Sequence, residues 1–200
     1  DGFYTLSIGA TDMGTGCDTI LAQMAAECLD CDVDNIITQS VDTDASPYDT
    51  GSYASATTYV TGMAVVKTCE ELKKQILREA AVLLDVEEEH ITFDGSMLRA
   101  VEDDKEITLA EFANRCFAGG KGACLIASAS HCSPTSPPPF MAGIAEVDVD
   151  KLTGEITLVD YAAVVDCGTV INPNLARIQT EGGIAHGIGM ALYEDITYSC

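Results

Sequence analysis

The run Phe3 to Gly9, FYTLSIG, is rich in β-forming residues and predicts a strand, which a Gly-containing loop follows. From Cys17 to Leu29 the apolar residues Ile20, Leu21, Met24, Ala25 and Cys28 recur at helical spacing, so a strand, loop and helix unit is expected. Asn35 to Val41 reads as a short second strand, and Asp42 to Thr50 as a polar loop around Pro47. From Ser52 to about Leu84 the pattern is helical again. Tyr59, Val60, Met63, Val66, Leu72, Ile76 and Leu83 form the expected buried stripe, and Lys67, Glu70, Glu71, Lys73 and Lys74 face out. Gly62, inside this helix, predicts close packing or a break.

Further on, His90 to Phe93 and Met97 to Val101 predict two strands joined across Asp94-Gly95, because glycine accepts the positive φ of a tight turn. Thr108 followed by Glu111 has the form of a capping box and opens a helix to about Phe117, which Gly119 to Gly122 stop. Leu125 to Ser130 reads as a strand and the proline-rich Cys132 to Phe140 as an extended linker. Ala142 to Val149 alternates, turns at Thr153-Gly154 and returns as Ile156 to Val165, an antiparallel hairpin. Pro173 opens a last helix to about Tyr193. Strands and helices mixed without strict alternation give an α+β fold. The expected division is a first lobe over 1–118, a linker over 119–141, and a hairpin with a glycine-rich helix over 142–200.

Composition narrows the function. Ten Lys plus Arg against 32 Asp plus Glu give a formal charge of −22, which repels nucleic acid and anionic membranes. A phosphorylated ligand would have to be held by backbone N–H groups and hydroxyls, since basic residues are scarce outside 67–78. Nine cysteines, mostly isolated in apolar or helical stretches, read as reduced, buried thiols of a cytoplasmic protein. Apolar runs are too short for a membrane span. A strand-like run begins at once and the last helix ends without a tail, so both ends read as cut from something longer.

Asp49-Thr50-Gly51-Ser52 and Asp166-Cys167-Gly168-Thr169 each match the tetrad of an aspartic protease, which needs two carboxylates sharing a proton. Asp166 ends an apolar strand, whereas Asp49 follows a polar loop, so a turn before a helix suits Asp49 to Ser52 better. The loop Ala10 to Thr19, ATDMGTGCDT, could cradle a phosphate or a pterin edge at a helix N-terminus, or be an ordinary β-α turn. It lacks the third glycine of a dinucleotide fingerprint and the Gly-Lys of a Walker loop. Cys28 and Cys31 stand at a helix C-terminus, the wrong end for a redox motif, and His90, His131 and His186 are scattered, with His186 expected to be packed in its helix. Gly182, Gly183, Gly187 and Gly189 inside the last helix call for a close approach by packing, a flat ligand or a neighbouring backbone.

Three separated stretches, in the right order and spanning almost the whole chain, resemble the molybdenum-cofactor subunit of the xanthine dehydrogenase and aldehyde oxidase family. GATDMGTGCDTILAQMAAECL is similar to that family's G-x-x-[DE]-x-G-Q-G-x-x-T loop and helix. DTGSYASATTYVTGMAVV is similar to its serine- and alanine-rich helix start. GEITLVDYAAVVDCGTVINPNLARIQTEGGIAHGIGMALYE is similar to its strand, D-x-G-x-x-x-N-P turn and Q-x-x-G-G helix.

The resemblance implies a molybdenum hydroxylase, in which a molybdenum–molybdopterin cofactor inserts water-derived oxygen into a purine, N-heterocycle or aldehyde. It leaves open whether the cofactor carries a mononucleotide or dinucleotide. By matching positions it implies that Met13, Gly14, Thr15 and Gly16 lie along the pterin and that Ser52, Ala54 and Ser55 offer a hydroxyl and N–H groups to the pterin or its phosphate. Gln179 would reach the molybdenum side, and Tyr53 and Ala54 the substrate. Iron–sulfur and FAD groups are implied on other subunits or domains, which, with the rest of the large subunit, are the expected partners. Two departures stand out. Thr15 replaces the family's Gln, and the family's Gly-Glu base would lie past Cys200, so no catalytic residue is assigned and the chain alone is expected to be inactive. The alternatives are a cofactor-binding or assembly module without chemistry and, more remotely, the protease on Asp49 and Asp166.

Overall fold

The computed structural model describes residues 2–101, 103–118 and 124–199. These form two compact units, Asp1–Ser133 and Pro134–Cys200. The architecture is α+β, with helices and three small sheets.

In the first unit, strand β1 (Tyr4–Ser7) leads through a loop into helix α1 (Cys17–Leu29), and the chain returns in β2 (Ile36–Gln39). β1 and β2 pair in parallel, Tyr4 opposite Ile36, so α1 is the crossover of a βαβ unit. Cys17, Ile20, Leu21, Ala22, Ala25, Ala26 and Leu29 are buried along α1, and Asp30 ends it in the left-handed region. Helix α2 (Gly62–Leu84) crosses α1 where a Cβ on Gly62 would meet Met24 Cε and Sδ at 2.6 and 2.8 Å. Of the two outcomes expected at Gly62, close packing is the one realised.

The buried face of α2 consists of Gly62, Val65, Cys69, Ile76, Ala80, Ala81 and Leu84. Of the predicted stripe only Ile76 belongs to it, and Tyr59 and Met63 are exposed. The cause lies at the start of the helix. Regular α-helix begins ten residues after Ser52, following a π-helical turn over Thr57–Thr61, which rotates the face.

The lower half of α2 packs on an antiparallel sheet, β3 (Ile91–Phe93), β4 (Met97–Ala100) and β5 (Lys105–Thr108), and on helix α3 (Leu109–Ala118). Ile76, Ala80, Leu84, Ile91, Leu98, Ile107 and Phe112 form its core. Fully burying each such large side chain stabilises by about 1.5–3 kcal/mol. The predicted hairpin at Asp94-Gly95 is present, and β5 is a strand the apolar pattern did not signal. Thr108 Oγ1 accepts the Glu111 N–H at 3.1 Å as expected of a cap. The Glu111 carboxylate pairs with Arg115. The predicted stop at Gly119 to Gly122 lies outside the described residues. Residues 125–130 are not a strand: they alternate between half-buried and exposed, with Leu125 against the core, but have no ladder partner among the described residues. Lys67 Nζ meets His131 Nδ1 at 2.9 Å and holds this stretch to α2.

The second unit holds strands β6 (Phe140–Val149) and β7 (Ile156–Asp166) and helix α4 (Pro173–Leu192). Pairing runs from Phe140–Asp166 to Glu146–Asp160, then skips Val159 and resumes at Val147–Leu158. This bulge resets the side-chain alternation of β7. Met141, Ala145, Val147 and Val149 therefore share one face with Val165, Tyr161, Leu158 and Ile156, with no charge among them. Asn172 caps α4, its side chain accepting the Leu175 N–H at 3.1 Å, with Pro173 in the first turn. A Cβ on Gly182, Gly183 or Gly187 would meet nothing within 4 Å, while one on Gly189 would meet Glu194 Oε1 at 2.6 Å, so of the four expected close approaches this unit makes one, to a side chain. His186 is exposed, not packed. Among the described residues, every fully buried apolar side chain lies in the first unit, and no helix is long and apolar enough to cross a membrane.

Candidate functional site

The loop between β1 and α1 is anchored at Ile8 and Ala10, both buried, and then turns outward. Asp12 organises it. Its Oδ1 accepts the N–H groups of Gly14 at 2.9 Å and Gly16 at 3.1 Å. Gly14 and Gly16 have φ of 99° and 75°, a region that favours glycine. Gly16 is the N-cap of α1 and has no side chain to cap with, so Asp12 supplies the carboxylate from four residues upstream. Partial desolvation opposes ionisation of Asp12, but the N–H groups of Gly14 and Gly16 prevail and hold its carboxyl below the usual range. Asp18 Oδ2 accepts the Ser40 hydroxyl at 2.6 Å, joining the start of α1 to the end of β2.

Ligand atoms of Asp12, Cys17 and Asp18 lie within 4.8 Å of one another. The carboxylates already accept N–H and hydroxyl donors, and burial raises the Cys17 thiol against the opposing Thr15 hydroxyl, so the group reads as a helix cap. Thr15 Oγ1 is shut off from solvent and faces the Cys17 thiol, although its residue is only half-buried.

A second loop lies against the first. A Cβ on Gly9 would collide with the Pro47 carbonyl and the Asp49 side chain, and Ser52 Oγ donates to the Thr11 carbonyl at 3.4 Å. Asp49 accepts the Gly51 N–H at 2.8 Å and the Thr61 hydroxyl at 3.4 Å, which folds 49–61 back on itself. Within that turn Ala54 and Ser55 both take left-handed backbone, φ 53° and 56°. Each non-glycine residue there costs about 1–2 kcal/mol. This pair, rather than a helix, occupies the stretch the sequence predicts as helical from Ser52. The N–H groups of Ser52, Ala54 and Ser55 donate to nothing among the described residues. Adjacent strained residues with free donors mark places where backbone serves a ligand.

Seven of the predicted residues thus fall on two touching loops of one unit. Met13, Gly14, Thr15 and Gly16 lie on the first, with Met13 67% exposed; Ser52, Ala54 and Ser55 lie on the second. Tyr53, predicted for the substrate, stands between the free donors and is 63% exposed. Gln179 is exposed on α4 of the second unit. Asp12 was missed as a working residue, although an Asp two and four positions before glycines is the signal for such a turn. For the protease reading, Asp49 is spent on Gly51 and Thr61, and Asp166 accepts the Gly168 N–H at 3.0 Å, so each carboxylate serves its own turn. Burial raises the thiols of Cys28 and Cys31, the reverse of a redox pair. Cys124, Cys132 and Cys167 are exposed thiols, contrary to the expectation of burial.

Together the loops offer a carboxylate on one side and three main-chain N–H groups, free among the described residues, on the other. That donor set suits a flat heterocycle edged with N–H and carbonyl groups and carrying an anionic tail, and it contains no lysine or arginine.

Comparison with known proteins agrees with this chemistry. The sequence model of the molybdopterin cofactor-binding domain matches residues 1–200. The chain is 34% identical over 200 residues to "Probable hypoxanthine oxidase XdhD" of Escherichia coli (strain K12), covering 99% of the chain and 21% of that protein. It is 33% identical to "Xanthine dehydrogenase molybdenum-binding subunit" of Escherichia coli O157:H7, covering 98% of the chain and 27% of that subunit. Among solved structures, the Cu,Mo-CO dehydrogenase in its carbon monoxide reduced state superimposes with a TM-score of 0.80 at 28% identity, covering 96% of the chain and 24% of that one. Quinoline 2-oxidoreductase from Pseudomonas putida 86 gives 0.79 at 26% identity, covering 95% and 25%. The chain spans about a fifth to a quarter of the length of these relatives.

Proposed function

The chain belongs to the molybdopterin cofactor-binding domain family, and on that footing we propose that its two touching loops hold the molybdenum–molybdopterin cofactor of a hydroxylase large subunit. The observation that carries this is the Ser52–Thr11 hydrogen bond, which sets the free N–H groups of residues 52–55 beside the Asp12–Gly16 loop. Gly14 and Gly16 have given their N–H groups to Asp12, so the anionic end of the ligand is served by Ser52, Ala54 and Ser55. The pterin edge, rich in N–H groups, meets the exposed Asp12 carboxylate. A threonine reaches less far than the glutamine of the family motif, and its hydroxyl is turned away from solvent, so Thr15 leaves the metal to other residues.

When bound, this cofactor supplies oxygen transfer from water to an electrophilic carbon, with two electrons passed on. The residues of this chain bind and orient it. Purines, N-heterocycles or aldehydes are the proposed substrates, approached past Tyr53 and Ala54. Iron–sulfur and flavin subunits are the proposed electron-accepting partners, in keeping with relatives named as subunits or large chains of complexes. Relatives build their enzyme from a chain about four times as long, and the 200 residues alone are proposed not to turn over substrate.

The test is molybdopterin titration of the purified chain, followed by pterin fluorescence, with Asp12→Asn and Ser52→Ala beside the parent. Saturable binding that each variant weakens supports the reading. Binding that neither variant changes contradicts it.

A further inference from the structure

The last turn of α2, the 85–90 turn and the β4–β5 connection enclose a groove of about 800 Å³ at the far end of the first unit's core. Its apolar lining is Val82 and Val86 with the buried Ala81 and Ala100. Val82 is 72% exposed, a large aliphatic side chain on the solvent side of a helix whose neighbours there are charged. The rim is acidic. Asp85, Glu87, Glu88 and Asp103 line it together with Arg78 and His90; Arg78 meets Glu88 at 4.0 Å and Lys105 meets Asp103 at 3.1 Å. Asp85 and Glu87 have no cationic partner among the described residues.

We propose that this groove is a docking surface for a lysine- or arginine-bearing segment of a partner polypeptide. The methylene stems of those side chains cover apolar surface while their heads stay polar, which matches an apolar valine lining with carboxylates at its rim. Asp85 and Glu87 receive the heads as charge-assisted hydrogen bonds. The overall charge of −22 steers a basic partner in and repels phosphate-bearing ones. Asp85, Glu87 and Glu88 stand on the 85–90 turn and Asp103 on the stretch between β4 and β5, two separate segments, an arrangement for cations spaced along a chain rather than for one small amine. None of these residues belongs to the cofactor loops, so this surface stands or falls independently of the cofactor reading.

The test is fluorescence anisotropy of a fluorescein-labelled peptide of alternating lysine and alanine, titrated with the purified chain and three variants at physiological salt. Val82→Asp removes part of the apolar lining while adding negative charge at an exposed site. The Asp85→Asn/Glu87→Gln pair removes the unpaired carboxylates, with Asn still suited to the left-handed backbone of Asp85 (φ 56°). Glu146→Gln/Asp148→Asn removes the same charge from the second unit. The expected result is a Kd raised about tenfold or more by each of the first two and changed less than about twofold by the third. Binding that Val82→Asp leaves equal or tighter, or that the Glu146/Asp148 pair weakens as much as the groove pair, would show diffuse attraction to an acidic protein and overturn the proposal.

Discussion

Ser52 and Thr11 are 41 residues apart in sequence, yet the Ser52 hydroxyl donates to the Thr11 carbonyl across 3.4 Å. This bond joins the polar turn before α2 to the loop before α1, and it is long and exposed, so its contribution to stability is small. Ser52→Ala should therefore leave the unfolding free energy within about 0.5 kcal/mol of the parent. Affinity for molybdopterin should fall about tenfold, because the free donors of 52–55 lose their position beside residues 12–16. Urea denaturation and pterin fluorescence, run on the same preparation, separate the two effects.

Asp12 governs the acid side of the pH response of the first loop. Its folded-state pKa lies below the ordinary carboxylate value, so its stabilisation is complete above that value, roughly pH 4, and is lost as pH falls through the depressed one. Asp12→Asn keeps the shape but weakens the charge-assisted bonds to Gly14 and Gly16, with an expected cost of about 0.5–2 kcal/mol at neutral pH, toward the lower end for so exposed a group. The mutant and parent stabilities should converge as the pH is lowered, measured by thermal unfolding across an acid series.

Gly95 fits the β3–β4 turn against α1. Its φ is +83°, and a Cβ there would fall inside the Asp30 carbonyl at the end of that helix. Gly95→Ala meets both a forbidden backbone and a rigid obstacle, and should destabilise by roughly 2 kcal/mol or more. Gly154, with φ +79° and nothing within 4 Å, is the control. Gly154→Ala carries the backbone strain alone and should cost about 1 kcal/mol, read by chemical denaturation of both.

Leu98 has no exposed surface and sits in the core shared by α2, α3 and the three-stranded sheet. Leu98→Ala should lower stability by about 2–5 kcal/mol, while Val82→Ala, on the exposed side of α2, should change it by less than about 0.5 kcal/mol. The comparison by urea titration checks that the core lies between α2 and the three-stranded sheet and that Val82 stands outside it.

What the sequence disclosed was local. The turn at Asp94-Gly95, the cap at Thr108 and the helix opened by Pro173 depend on residues within four positions, and each is present. The resemblance brought Met13 to Gly16 and Ser52 to Ser55 into one hypothesis, and the fold places those two loops in touch. Features set by distant partners were not legible. The left-handed pair Ala54-Ser55 is imposed where Asp49 ties Gly51 and Thr61 and where Pro47 crosses Gly9, and nothing in SYAS shows it. The helical period of α2 was visible, but its phase depended on that turn. The bulge at Val159 follows from the register of β6 against β7, and residues 125–130 have strand composition but no partner to pair with among the described residues.

Hydrogen–deuterium exchange of the chain with and without molybdopterin reads the central claim at the residues concerned. Binding should slow exchange over residues 51–56, where the Ser52, Ala54 and Ser55 amides are free, and change Gly14 and Gly16 much less, since Asp12 already holds them. Protection confined to the three-stranded sheet and α3, or no protection in 51–56 under saturating cofactor, would contradict it.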